Sequence, residues 1–209
     1  MTESVSRTPA PGEEVTLVLF HGRSHAPASM LALAERAGFA DAPCVAPAAA
    51  GGSWYPGRFF APRAENEPHL SAAIDGVHAT IDELERSGVP SGRIVVGGFS
   101  QGACLVADAM ARRPRPIGAL AVICGGLIGA GEELVRPPED AFGGVPVLVT
   151  GVEQDEWVPV DRVRATAGGF GAAGADVTLL VLPPAEHAIH DEEVAAFRSL
   201  VDAVRGRRP

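Results

Sequence analysis

An α/β fold, a mostly parallel sheet with helices on both faces, is predicted for this 209-residue chain by three observations. Short apolar runs carry no polar alternation, which suits strands buried on both faces. Segments with a helical period alternate with those runs, and alternation of this kind demands right-handed crossovers between parallel strands. Finally, Gly98-Phe99-Ser100-Gln101-Gly102 stands where one apolar run meets one helix-like segment, so a serine occupies a sharp strand-to-helix turn.

The elements follow in order. Residues 1–12 are rich in Ser, Thr and Pro without periodicity and read as a mobile tail or irregular edge, leaving 13–209 as a single domain. Val15 to Phe20 is a continuous apolar run ending at His21-Gly22, and Pro27 to Ala37 has a helical pattern. A short strand at Cys44-Val45-Ala46 leads into an irregular segment, 47–68, that holds Trp54, Tyr55, Phe59 and Phe60 among Gly and Pro. Leu70, Ile74, Val77, Ile81 and Leu84 recur at alternating spacings of four and three, the stripe of a core-facing helix that Gly88 ends. Further strands are expected at 93–96, 119–123, 145–150 and 177–182, with helices at 101–112 and 160–170. A last helix begins near Asp191, where three acidic residues suit its positive N-terminus and Val194, Phe197, Leu200, Val201 and Val204 face inward.

Composition narrows the function classes. The chain carries a net charge of −9 with 17 arginines and no lysine, and no basic block could neutralise a run of phosphates, so no nucleic-acid partner is expected. No apolar run reaches the length of a membrane span and the first residues lack a signal pattern, so a cytoplasmic protein is expected. Cys44, Cys104 and Cys124 lie singly in apolar segments and read as small buried hydrophobes, and the six histidines form no ligand cluster. Neither a metal nor another cofactor is implied, and a homodimer is left open.

In the Gly-x-Ser-x-Gly string, glycines two before and two after the serine relieve side-chain clashes in a strained turn, which lifts the hydroxyl above the sheet edge. Partners for Ser100 are to be sought where other strands end. The run 145–150 ends in an acidic loop containing Glu153, Asp155 and Glu156, with Asp161 just beyond, and the run 177–182 ends in Pro183-Pro184-Ala185-Glu186-His187. The order Ser, acid, His over successive loops is that of a hydrolytic triad, with His187 as base and His190 as the competing histidine. The Gln101 N–H, at a helix N-terminus beside the serine, suits developing negative charge.

Leu19-Phe20-His21-Gly22-Arg23, Gly98 to Ala103, Asp155-Glu156-Trp157-Val158-Pro159 and Glu186-His187 resemble the phospholipase/carboxylesterase family of α/β-hydrolases, which includes bacterial carboxylesterases and acyl-protein thioesterases. The likeness runs from about Val15 to the end. It implies an α/β-hydrolase fold, Ser100 as nucleophile, Asp155 as acid and His187 as base, with an oxyanion hole from the main-chain N–H groups of Arg23 and Gln101. For Arg23 only the main chain would contribute. The segment 125–144 is short and polar, so no large lid domain is expected, and the site should be shallow and open.

Trp54, Tyr55, Phe59 and Trp157 are candidate substrate-binding walls, with packing beneath the long loop as the alternative, and His25 and Arg58 could meet a polar substrate end but are expected to be solvated. The reading is a serine carboxylesterase acting through an acyl-enzyme on a small-molecule ester, a small to medium acyl or aryl ester. Thioesterase or lysophospholipase activity with the same triad, lactone opening of the dienelactone hydrolase kind, and a non-catalytic ligand-binding fold are the alternatives.

Overall fold

The computed structural model describes residues 5–7 and 15–207. Seven strands, β1 (Val5–Arg7), β2 (Thr16–Phe20), β3 (Cys44–Ala46), β4 (Ile94–Phe99), β5 (Ala119–Ile123), β6 (Pro146–Val152) and β7 (Asp176–Leu182), form one sheet in the order β1-β3-β2-β4-β5-β6-β7. Every pairing from β3 to β7 is parallel, whereas β1 pairs with β3 antiparallel. Within the segment read as a tail, Val5–Arg7 is thus an edge strand, and its other residues lie outside the described ones. Nothing in its three-residue length or composition distinguishes it from a loop, because the partner supplies the pattern.

Five helices cross between the strands: α1 (Pro27–Arg36), α2 (His69–Arg86), α3 (Gln101–Arg112), α4 (Val160–Ala172) and α5 (Asp191–Gly206). The pleat sorts the buried strand residues onto two faces. Val18, Phe20, Val96, Leu120, Val122 and Val149 pack with α2, α3 and α4, while Leu17, Leu19, Val95, Ala121, Ile123 and Leu148 pack with α1 and α5. Both sides of the central strands are therefore core, which explains their uninterrupted apolar runs. Strand β4 extends to Phe99, beyond the apolar run, because its paired glycines Gly97 and Gly98 continue the ladder against β2 and β5.

Helix α3 is buried from Gln101 through Ala111, and its small residues allow it to press on the sheet. Its buried Asp108 is held by Arg63 at 2.7 Å and Arg112 at 2.8 Å. At the other end of the molecule Arg93 donates to the Val204 and Arg207 carbonyls, both at 2.9 Å, closing the C-terminus of α5. Between β5 and β6 the regular structure is a single turn at Gly131–Glu133, so no large lid is built there.

Two glycines should respond oppositely to alanine. A Cβ on Gly102 would lie 2.1 Å from the Phe20 carbonyl oxygen, where neither backbone can yield, so Gly102→Ala is expected to cost about 3 kcal/mol or more. Gly76, on the exposed side of α2, has open space around it, and Gly76→Ala is expected to stabilise by about 0.5–1 kcal/mol. Urea unfolding of both variants checks the pair.

Candidate active site

The site forms at the carboxyl end of the sheet, where β2, β4, β5, β6 and β7 release their loops. Ser100 has φ 53° and ψ −117°, a strained conformation for a residue with a side chain. The flanking glycines make that turn feasible: a Cβ on Gly98 would meet Gly102 backbone at 2.5 Å, and one on Gly102 would meet β2. Ser24, Cys124 and Gln154, which follow β2, β5 and β6, also have positive φ, so unfavourable backbone gathers around this one edge.

Ser100, His187 and Asp155 meet here. Ser100 Oγ donates to His187 Nε2 at 2.8 Å, and His187 Nδ1–H donates to Asp155 Oδ2 at 2.6 Å. The imidazole is thereby held as the Nδ1–H tautomer with its Nε2 lone pair toward the serine hydroxyl. It also stacks against Phe99, centroid to centroid 5.2 Å. Burial pushes the Asp155 carboxyl upward in pKa, but the bonds from His187 and from the N–H groups of Trp157 and Val158 outweigh it and hold it below its ordinary value. Those two N–H bonds, 2.7 and 3.1 Å to Oδ1, give the Asp-x-x-Val string a physical purpose: the aspartate closes its own loop while presenting its second oxygen to the histidine.

The neighbouring candidates fall elsewhere. Glu153, Glu156 and Asp161 are exposed, and His190 bonds the Glu186 carbonyl at 2.9 Å. Glu193, read only as an N-terminal charge of the last helix, is fully buried. It accepts from the Thr150 hydroxyl, the Cys124 thiol at 3.2 Å and the His190 N–H at 2.9 Å. It therefore ties the ends of β5 and β6 to the loop that carries His187. The only sequence sign of this role was its position three residues into a helix.

The main-chain N–H groups of Arg23 and Gln101 have no acceptor among the described residues, and Gly22 lies so close that an added Cβ would be 3.3 Å from that of Ser100. The side chains of both residues do more than the sequence suggested. The Arg23 guanidinium donates to the carbonyls of Tyr55, Pro56 and Gly57 at 3.0, 2.9 and 2.6 Å, a structural role of its side chain apart from the main-chain N–H expected to serve the oxyanion hole. Gln101 Nε2 donates to the Tyr55 carbonyl at 2.8 Å, and its Oε1 accepts the Trp54 N–H at 3.1 Å. Together they bind the long loop to the nucleophile turn.

A cleft of about 490 Å³ opens over Ser100, lined on its apolar side by Tyr55, Phe59, Phe60, Phe99, Cys104, Trp157 and Val158. Because Tyr55 and Cys104 at its base belong to the core, it reaches deeper than the expected shallow site. Trp157, 58% exposed, forms the rim. Trp54 is not among the lining residues. Its ring packs on Phe20 and His21, and its indole N–H donates to the His21 carbonyl at 2.8 Å, so it supports the loop from beneath. Phe60, Phe99 and Val158 line the cleft without having been singled out as walls, since loop sequence does not reveal which apolar side chains turn toward a cavity.

Cys124 Sγ, an Asp155 oxygen and a His187 nitrogen lie within 4.8 Å of one another, the spacing of a metal cluster. All three are otherwise engaged, and burial keeps the Cys124 thiol protonated well above its ordinary pKa, so no thiolate is offered. Burial likewise pushes Cys104 up to about 12.

A fold and a site of this construction define an α/β-hydrolase. The family model of phospholipase/carboxylesterase matches residues 7–204, and the chain belongs to that family. A phospholipase/carboxylesterase from Dyadobacter fermentans superposes with a TM-score of 0.86 at 29% identity, covering 96% of each chain. The Bacillus cereus carboxylesterase shares the fold with a TM-score of 0.78 at 18% identity, over 98% of this chain and 95% of that one. A protein named a probable carboxylesterase of Oryza sativa subsp. japonica is 29% identical over 137 residues, 66% of this chain. That match spans about half, 51%, of the rice protein's length.

His21 makes the site sensitive to acid. Its Nε2 accepts the Ala49 N–H at 3.1 Å while Nδ1–H donates to the Gly22 carbonyl at 2.8 Å, and burial holds its pKa below the ordinary value. The unfolded chain therefore binds the proton more readily, so stability is complete above a pH of about 6.5 and declines as pH falls toward the folded pKa. His78, lowered chiefly by burial, adds to the same window. Thermal unfolding from pH 7.5 to 5 should show this decline, with a shallower slope in His21→Gln, which keeps an acceptor for Ala49. An unchanged slope would remove His21 from the account.

Proposed function

We propose that the chain is a serine carboxylesterase that cleaves small to medium acyl or aryl esters through an acyl-enzyme. The observation that carries the reading is the continuous bond chain from Ser100 Oγ through His187 to Asp155, beside two N–H groups without acceptors among the described residues. In this reading Ser100 Oγ attacks the ester carbonyl carbon as its proton passes to His187 Nε2. The carbonyl oxygen takes the negative charge and accepts from the Gln101 and Arg23 N–H groups. Collapse expels the alcohol, which receives the proton from His187. Water then attacks the acyl-enzyme with His187 again as base, releasing the acid and restoring the serine. Asp155 holds the tautomer and balances the imidazolium charge. In every step His187 of this chain carries the proton.

The apolar walls Phe59, Phe60, Phe99 and Trp157 support an acyl or aryl group of ordinary small-ligand size. The family match over residues 7–204 supports treating 13–209 as one catalytic domain. No described helix is long and apolar enough to cross a membrane, and the three cysteines are free and buried, which supports a cytoplasmic setting.

Ser100→Ala is expected to lower kcat by roughly 10⁴-fold or more and to abolish labelling by a fluorophosphonate. Retention of a tenth of the wild-type rate on 4-nitrophenyl esters would assign the attack to another residue. Asp155→Asn should cost on the order of 10⁴ in kcat, the handicap of a mis-set tautomer, whereas Glu153→Gln, Glu156→Gln and Asp161→Asn should each change it by less than about threefold. Trp157→Ala should raise KM for aryl and medium-chain esters more than for acetates, since the lost contact scales with buried area at about 25 cal/mol per Å². Assays across thioesters and lysophospholipids with the same variants define the preferred acyl donor.

A further inference from the structure

The cleft has a charge character opposite to that of the chain. The sequence holds 26 acidic residues and a net charge of −9, yet among the described residues no Asp or Glu lines the cleft, while Arg23 and Arg58 do. Arg23 is engaged by three loop carbonyls and His187 by Ser100 and Asp155. Arg58 is different. Its guanidinium carbon sits 5.5 Å from the Phe60 ring centroid and 5.9 Å from that of Trp157. Among the described residues no carboxylate or carbonyl accepts from its side chain.

A guanidinium over aromatic rings is attracted by their faces without using its N–H donors, which stay available as a fork that matches an oxyacid. The backbone beneath is also held. Buried Asn66 accepts the Gly57 N–H at 2.7 Å and donates to the Arg58 carbonyl at 3.0 Å, so the arginine springs from an anchored turn. Two arginines beside apolar walls concentrate a positive field on what enters the cleft. In a protein whose overall charge repels anions, this local arrangement has to be matched by a specific anion to be used.

Resting on the esterase reading, we infer that Arg58 binds an anionic oxyacid group, a carboxylate or a phosphate, carried by the ester away from its scissile bond. The substrate class is then esters with an anionic tail, whose apolar middle lies along Phe59, Phe60 and Trp157. Arg58 acts as a specificity residue: it recognises the substrate and takes no part in proton transfer.

The test is steady-state kinetics on matched esters, 4-nitrophenyl butyrate against the same acyl chain ending in a carboxylate or in a phosphate. A second series places the charged group on the alcohol side. The wild-type protein is expected to favour an anionic member of at least one series by about tenfold or more in kcat/KM, mainly through KM. Arg58→Gln should bring the anionic-to-neutral ratio close to one, and Arg58→Lys should retain part of the preference. Because each ratio is taken within a single variant, partial misfolding cancels. Carboxylate and phosphate arms identify which oxyacid is taken. Wild-type preference for the neutral ester in both series, or an anionic preference unchanged in Arg58→Gln, overturns the assignment while leaving the esterase reading in place. Absence of turnover on every ester together with no fluorophosphonate labelling of Ser100 overturns the esterase reading itself.

Discussion

The approach of α3 to the end of β2 is the constraint on which the rest of the site depends. Gly102 stands where any side chain would strike the Phe20 and His21 carbonyls, at 2.1 and 2.7 Å from an added Cβ. That contact brings the helix N-terminus against the neighbouring strand and forces the intervening residue, Ser100, into positive φ. Three consequences follow from one packing event. The serine side chain is lifted away from the sheet, the Gln101 N–H is presented at the helix end where negative charge is favoured, and the chain leaving β2 passes beside the nucleophile with Gly22 and Arg23.

The loops around this turn are held by side chains that donate to main-chain carbonyls. Arg23 gathers three carbonyls of residues 55–57, Arg162 takes those of Leu127 and Gly129 at 2.9 Å, and Gln101 takes that of Tyr55. A planar, permanently charged fork suits this work because one residue can satisfy several carbonyls that an irregular loop leaves without strand partners. The long connection between β3 and α2 is thus fastened to the site edge and can present aromatic side chains to the cleft. Trp54 is fastened the same way, by its indole N–H, and so serves the loop's underside.

On the opposite side, Glu193 does for the histidine loop what Arg23 does for the aromatic one. A buried carboxylate is costly unless its oxygens are fully bonded, and here a hydroxyl, a thiol and an N–H at a helix N-terminus supply those bonds. Their cost is offset by joining three loop segments, and the His187 ring is left to meet Ser100 and Asp155 without supporting the loop itself.

Much of this was legible in the chain. Helix α3 runs from Gln101 to Arg112 as its pattern predicts, the α2 stripe from Leu70 to Leu84 is buried, and most strand limits fall within a few residues of the apolar runs. Local periodicity and glycine spacing encode these features, because they depend on which face a residue turns to a core. The same holds for the position of Ser100, since the turn's sterics are written in its two flanking glycines. What needed the tertiary structure was which side chains from distant segments meet. Glu193 turns inward to the ends of β5 and β6, Trp157 rather than Trp54 meets the cleft, Val5–Arg7 pairs as a strand, and Arg58, without a hydrogen-bond acceptor among the described residues, lies over two rings while Arg23 is consumed by carbonyls. Those outcomes rest on contacts between residues tens of positions apart, such as 23 with 55–57 and 124 with 193, and sequence pattern carries direction along one element but not the meeting of two.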